Sequence, residues 1–161
     1  MALAQAVFAV APAQGIAGGS RPQLVVSYAD VLDPALSSVV RVEVFGTPAP
    51  TGANASSIGS GVVIEAGRGL ILTNAHVVSG GKSFRIQLRD GRWFDAELAG
   101  TDVPTDLAML RAAKASMPAI GIADSDKARV GDVVFAVGYP LGLDQTLTMG
   151  IVSGLGRYGG G

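Results

Sequence analysis

Beyond about residue 35 the apolar residues of this sequence fall in short alternating or continuous runs of strand type, and no stretch holds the wider spacing that gives a helix one buried face. Val40, Val42 and Val44 alternate with Arg41 and Glu43, and Phe84, Ile86 and Leu88 share a face past Arg85 and Gln87. Further strand signals fall at residues 61–65, 70–73, 92–98, 107–111, 133–139 and 146–155. Asp90-Gly91 predicts a type I′ hairpin between two of them, and residues 46–59, with Pro48 and Pro50, read as a loop. The 23 glycines lie between Val, Ile and Leu runs, so they mark tight turns. Many short strands expose many edges, and a closed or nearly closed barrel hides them. The chain is expected to be all-β.

Residues 27–34 add one or two helical turns, with Ser27 as N-cap and Asp30 three positions on. Strand signals are interrupted at residues 114–127, around Pro118 and Asp124-Ser125-Asp126. About six strands precede that break, enough to close a small barrel, and two follow it. The expected organisation is residues 27–120 as a first β-barrel with a short N-terminal helix and residues 121–161 as the start of a second, incomplete one. Two strands alone cannot bury both faces of a sheet. Residues 1–26 form an Ala-rich leader. Ala11-Pro12-Ala13 before Gln14 resembles a signal-peptidase site, but no Lys or Arg precedes the apolar run, so a cleaved signal and a disordered leader both stay open.

Several function classes lose support from composition. Twelve Lys and Arg against 13 Asp and Glu, without a block of like charge, give no basic stripe for nucleic acid. Cysteine is absent and histidine occurs once, which argues against disulfides, thiolate sites and a histidine-based zinc site. No apolar run is long enough for a membrane span. No cofactor or metal is expected.

That one histidine, His76, follows the apolar segment Leu70-Ile71-Leu72 where the chain leaves a strand through Thr73-Asn74. A strand end fixes the backbone and leaves the imidazole accessible, as a proton shuttle requires. Asp106 directly precedes Leu107-Ala108-Met109-Leu110, a strand whose burial would draw the carboxylate inward. A buried carboxylate accepting Nδ1–H of a histidine selects the tautomer with Nε2 free and stabilises the imidazolium. Asp102 competes for this role, its other reading being a surface turn residue.

Ile58-Gly59-Ser60-Gly61-Val62-Val63-Ile64, Leu72-Thr73-Asn74-Ala75-His76-Val77-Val78, Asp90-Gly91-Arg92, Thr105-Asp106-Leu107-Ala108, the stretch Gly131-Asp132-Val133 through Gly138-Tyr139-Pro140-Leu141-Gly142, and Thr148-Met149-Gly150-Ile151-Val152-Ser153 follow one another in the order of the HtrA (Deg) serine proteases. The chain resembles that family over roughly residues 28–158. The resemblance implies a chymotrypsin/trypsin-like double β-barrel with the first barrel complete and the second truncated, His76 as general base and Asp106 as triad acid. It further implies unfolded or extended polypeptides as substrates, export to the periplasm or cell envelope, and a homo-trimer to which Tyr28 could contribute an aromatic contact. Tyr139 stands where the family commonly has Asn.

The family's Gly-Asn-Ser-Gly-Gly block, which supplies the nucleophile and the oxyanion-hole amides, does not occur among the 161 residues. Ser60 and Ser153 are the serines inside matched blocks, and neither has an elbow or a pair of donors around it. No nucleophilic serine is therefore expected in this chain, which reads as the N-terminal part of a serine endopeptidase, inactive alone. The alternative is a non-catalytic peptide-binding or chaperone-like module that takes an extended peptide on the open edges of residues 133–139 and 146–155.

Overall fold

Alternation along the chain becomes a closed wall of strands. The computed structural model describes residues 6–8, 27–48, 54–113, 116–140 and 144–156. Its strands are β1 Ala6–Phe8, β2 Val39–Pro48, β3 Asn54–Glu65, β4 Leu70–Thr73, β5 Gly81–Gln87, β6 Trp93–Asp102, β7 Leu107–Ala112, β8 Val133–Gly138 and β9 Thr146–Ile151. Two helices, α1 Ala29–Ser38 and α2 Ala75–Val78, and a 3-10 turn at Ser125–Lys127 join them. Every strand pairing is antiparallel, and the order β2-β3-β4-β7-β6-β5 closes when β5 returns to β2. The second sheet has the order β1-β8-β9. The protein is thus all-β in its framework, with one closed six-stranded barrel beside an open sheet.

Side-chain parity explains which face fills the barrel. Val40, Val42 and Val44 of β2 point in with Val63, Ile71, Phe84, Ile86, Leu88 and Leu110, all buried in one cluster. Arg41 and Glu43, on the opposite parity, form an ion pair at 3.0 Å. A smaller cluster joins the two sheets: Val39, at the start of β2, packs with Val137 and Tyr139, and Leu36 of α1 leans on it. The Tyr28 ring meets Phe135 of β8 edge-on, with centroids 5.2 Å apart. The one aromatic offered as a subunit contact is therefore engaged within its own chain. No helix among the described residues is long and apolar enough to cross a membrane.

Four local expectations are corrected. Most of residues 46–59 is strand: β2 runs to Pro48 and β3 starts at Asn54, with a register shift between Phe45 and Pro48, so the prolines sit at a strand end and in residues outside the described ones. The helix starts two residues after Ser27, whose hydroxyl oxygen accepts the Ala29 N–H (3.1 Å), and it continues past Pro34 to Ser38. Burial of Leu32 and the packing of Leu36 against the inter-sheet cluster outweigh the hydrogen bond that Pro34 cannot donate. The Asp90-Gly91 hairpin is not type I′, which needs positive φ at both residues. Only Gly91 has it (φ 88), Gly91 N–H bonds Leu88 C=O and Leu88 N–H bonds Arg92 C=O (both 2.9 Å), the pattern of a type I turn followed by a glycine bulge. Finally, the β8 edge is partly taken: β1 pairs with it from Ala6↔Val137 to Phe8↔Phe135, and β9 flanks its other side from Val133 to Gly138.

Candidate active site

Strand β4, held between β3 and β7, delivers the chain to the barrel rim at Thr73. The Thr73 hydroxyl donates to the carbonyl of Ser60 at 2.7 Å, which pins the strand exit. Asn74 is extended (φ −89, ψ 147), and the single turn of α2 follows. Ala75, Val77 and Val78 are buried, so the turn is amphipathic in its smallest form, and His76 is the residue left facing out. Gly59 makes room for it: a Cβ there would lie 2.5 Å from Val77 Cγ1.

Asp106 arrives from the other side, on the turn joining β6 to β7. Its N–H bonds Val103 C=O at 3.1 Å, and it is the non-glycine residue of positive φ (54) among those described. Asp tolerates this left-handed region better than most residues. The consequence is that both its carbonyl and its carboxylate turn toward residues 74–76. The carbonyl accepts from Ala75 N–H and from Asn74 Nδ2, each at 3.1 Å. Oδ1 accepts the His76 N–H at 2.9 Å, while Oδ2 lies 2.6 Å from His76 Nδ1 and 3.2 Å from Asn74 Nδ2. The His76 amide is the main cause that holds the Asp106 carboxyl below the usual carboxylate range, followed by the imidazole, with partial burial opposing them. Of the two aspartates weighed from the sequence, Asp106 contacts His76. Asp102 ends β6 opposite Leu107, exposed to solvent.

One expectation about this pair fails. The Asp106 side chain is 44% exposed and that of His76 43%, so the carboxylate is not drawn into the core. Leu107 explains why: it begins β7 at the rim and is itself exposed, so burial reaches inward only from Ala108. Directed hydrogen bonds, and not desolvation, set the carboxylate's orientation. Asn74 is the contributor that sequence reasoning did not single out. Its only signal was an amide side chain between a strand and a helical turn.

The two serines weighed as nucleophiles have other positions. Ser60 is 3% exposed, and its hydroxyl oxygen accepts the Tyr139 N–H at 2.8 Å. Ser153 is exposed beyond the end of β9. Among the described residues no three His, Cys, Asp or Glu side chains come together as a metal ion would need. A cleft of about 770 Å³ lies away from the pair, lined in part by Pro34, Ala35, Ile120, Ile122, Val133 and Val134. Neither His76 nor Asp106 borders it, and it is a largely apolar gap between α1 and the second sheet.

A closed antiparallel barrel beside a second sheet is the architecture of trypsin-like peptidases, and the family described as the trypsin-like peptidase domain matches residues 59–161. The periplasmic pH-dependent serine endoprotease DegQ of Escherichia coli K12 is 54% identical over 103 residues, covering 63% of this chain and 23% of DegQ. The probable periplasmic serine protease do/HhoA-like of Haemophilus influenzae is 48% identical over 119 residues, 73% of this chain and 26% of that protein. Two solved structures of the HtrA-type protease AlgW superpose with TM-scores of 0.74, with a bound tripeptide (40% identity, 82% of this chain and 41% of that one), and 0.71, with a decapeptide (36% identity, 83% and 47%). The chain belongs to the trypsin-like peptidase family, in its HtrA/Deg group. It spans about a quarter of the length of the curated relatives it matches.

Proposed function

We propose that His76 and Asp106 are the general base and the orienting acid of an HtrA/Deg-type serine endopeptidase. The observation that carries this reading is the 2.6 Å contact between His76 Nδ1 and Asp106 Oδ2. With the Nδ1 proton directed at the carboxylate, Nε2 has a free lone pair to take the proton of a serine hydroxyl as that oxygen attacks a peptide carbonyl. The imidazolium then gives the proton to the departing amine, and a water molecule repeats the cycle on the acyl-enzyme. Asp106 stabilises the imidazolium by its negative charge, which its hydrogen-bond donors keep in place. Asn74 and the Ala75 N–H hold the aspartate's carbonyl while this happens.

The hydroxyl itself is expected outside these 161 residues, since the sequence holds no Gly-Asn-Ser-Gly-Gly block and Ser60 is buried with its oxygen engaged. The 161-residue polypeptide alone is accordingly read as catalytically inactive. Extended or unfolded polypeptides are the substrates this reading assigns, supported by the peptides bound to the HtrA-type relatives. The periplasm is the compartment it assigns, supported by the names of the relatives. A homo-trimer remains part of the proposal through the family resemblance alone. The peptide-binding alternative is not favoured, because β8, one of the two edges it needed, is flanked by β9 on one side and is taken by β1 over residues 135–137 on the other.

Two measurements test this. A fluorophosphonate probe should leave the purified 161-residue chain unlabelled, and covalent labelling would refute the assignment of the nucleophile elsewhere. A longer polypeptide that completes the second barrel and carries a Gly-Asn-Ser-Gly-Gly segment should hydrolyse an unfolded protein, with His76→Ala lowering kcat/KM by at least about a thousandfold. Full activity in that variant would refute the role given to His76.

A further inference from the structure

Adjacent residues of β3 touch the two halves of the molecule. Gly59 faces α2, where Val77 fills the space a side chain would take. Ser60, on the opposite face of the same strand, reaches the second sheet. Its hydroxyl oxygen accepts the N–H of Tyr139, the residue just past the last β8–β9 pair, Gly138↔Thr146. Tyr139 cannot drift from this bond at low cost, because its own side chain is buried with Val39 and Val137. On the barrel side the Ser60 carbonyl accepts the Thr73 hydroxyl at 2.7 Å, and Thr73 stands three positions before His76. Ser60 and Thr73 are both buried, and the bonds just described engage both hydroxyls.

We infer that Ser60 is a positioning residue: it ties the exit of β8 in the second sheet to the segment that carries His76, so that the imidazole is held in register with the sheet beside the barrel. This rests on the His76–Asp106 reading above. A shift of Tyr139 moves the Ser60 hydroxyl. The Ser60 peptide moves with it, Thr73 follows, and the start of α2 with it. Removing the hydroxyl would leave the Tyr139 N–H buried without its partner and break this hydrogen-bonded tie between the second sheet and the barrel rim, with the packing of Val39, Val137 and Tyr139 left in place.

Because His76 is the only histidine, its ring protons can be followed without ambiguity in the ¹⁵N-labelled 161-residue chain. In Ser60→Ala, solvent exchange of the His76 Nδ1–H and of the Tyr139 amide should accelerate by about tenfold, the scale of one lost buried hydrogen bond, while the Ile71 and Leu110 amides keep their protection. Ser60→Thr, which retains the hydroxyl, should restore slow Nδ1–H exchange. If Ser60→Ala does not fold, Thr73→Val breaks the other link and should accelerate the same proton, with Thr73→Ser restoring it. An Nδ1–H unchanged in the hydroxyl-less variants, or accelerated only in step with Ile71 and Leu110, overturns the inference and leaves the pair intact. An Nδ1–H in the unaltered chain that is indifferent to Asp106→Asn overturns the pair itself, and this inference with it.

Discussion

Asp106 grips His76 by two different atoms of the histidine: Oδ1 takes the backbone N–H at 2.9 Å, and Oδ2 meets the ring Nδ1 at 2.6 Å. The first bond fixes where the carboxylate sits, and the second fixes how the imidazole turns. With the carboxylate fixed through Oδ1, the ring cannot rotate about χ1 without breaking its charge-assisted hydrogen bond to Oδ2. The orientation therefore comes from the backbone of α2 as much as from the ring.

That geometry makes stability depend on pH in a definite direction. The Asp106 carboxyl is held below its ordinary 3.8, first by the His76 amide and then by the imidazole. A depressed folded-state value means that the ionised carboxylate stabilises the native state fully above the unfolded value, and that this contribution is lost as pH falls through the lower, folded value. The urea midpoint of the unaltered chain should thus exceed that of Asp106→Asn near neutrality, with the gap closing on acidification below 3.8. Asp90, also depressed, titrates in both proteins and drops out of the difference. A gap that widens as the pH falls would contradict the assignment.

Asn74 gives a second test, because its amide bonds both the carbonyl (3.1 Å) and Oδ2 (3.2 Å) of Asp106. Asn74→Ala should cost about 1 kcal/mol of unfolding free energy. Asn74→Asp should cost more, since it sets a second carboxylate against the first and raises the Asp106 titration midpoint, readable from its carboxyl ¹³C shift. An Asp106 midpoint unmoved by Asn74→Asp would mean that the two side chains do not meet in solution.

The barrel was legible in the sequence because its signal is local. Val40, Val42 and Val44 alternate with charges, and a half-buried strand needs little else to be recognised. His76 and Asp106 were legible as candidates for the same reason, each flanking an apolar run. What was not legible depends on partners far along the chain. β1 is a strand because β8 offers it an edge, and α1 outlasts Pro34 because Leu32 is buried and Leu36 supports the inter-sheet cluster. The exposure of Asp106 was misjudged because alternation tells which face of β7 is inward but not how far along the strand the rim lies. The Asp90-Gly91 turn fails differently: the dipeptide permits two turn types, and the Asp90 carboxylate's bonds to the Arg92 N–H (3.1 Å) and guanidinium (2.8 Å) accompany the one with a bulge.

Gly59 carries a third prediction. Its missing side chain lets α2 sit against β3, and an added Cβ would lie 2.5 and 2.8 Å from the two Val77 methyls. Val77 is buried, so it has little room to yield. Gly59→Ala should destabilise the fold by roughly 1–3 kcal/mol, the usual cost of overpacking, and should shift the His76 ring resonances because Val77 adjoins it. Gly59→Ala with Val77→Ala should recover part of the loss. An unchanged melting midpoint for the single variant would show that α2 is looser against β3 than its burial implies.

The last prediction concerns β9. Leu147, Met149 and Ile151 occupy alternate positions on one face and are 42%, 60% and 61% exposed, and among the described residues β9 pairs on one side only, with β8. An apolar row next to an open strand edge is the arrangement that most favours association between sheets. The 161-residue chain at micromolar concentration should therefore sediment partly as species heavier than its 16.2 kDa monomer. Replacing the row by Leu147→Thr, Met149→Lys and Ile151→Thr keeps β-forming residues at two of the three positions and puts a charge at the centre, so the triple variant should sediment as monomer while retaining the barrel's cooperative melting. A single monomeric boundary for the unaltered chain across that concentration range would show that this face is covered within its own chain.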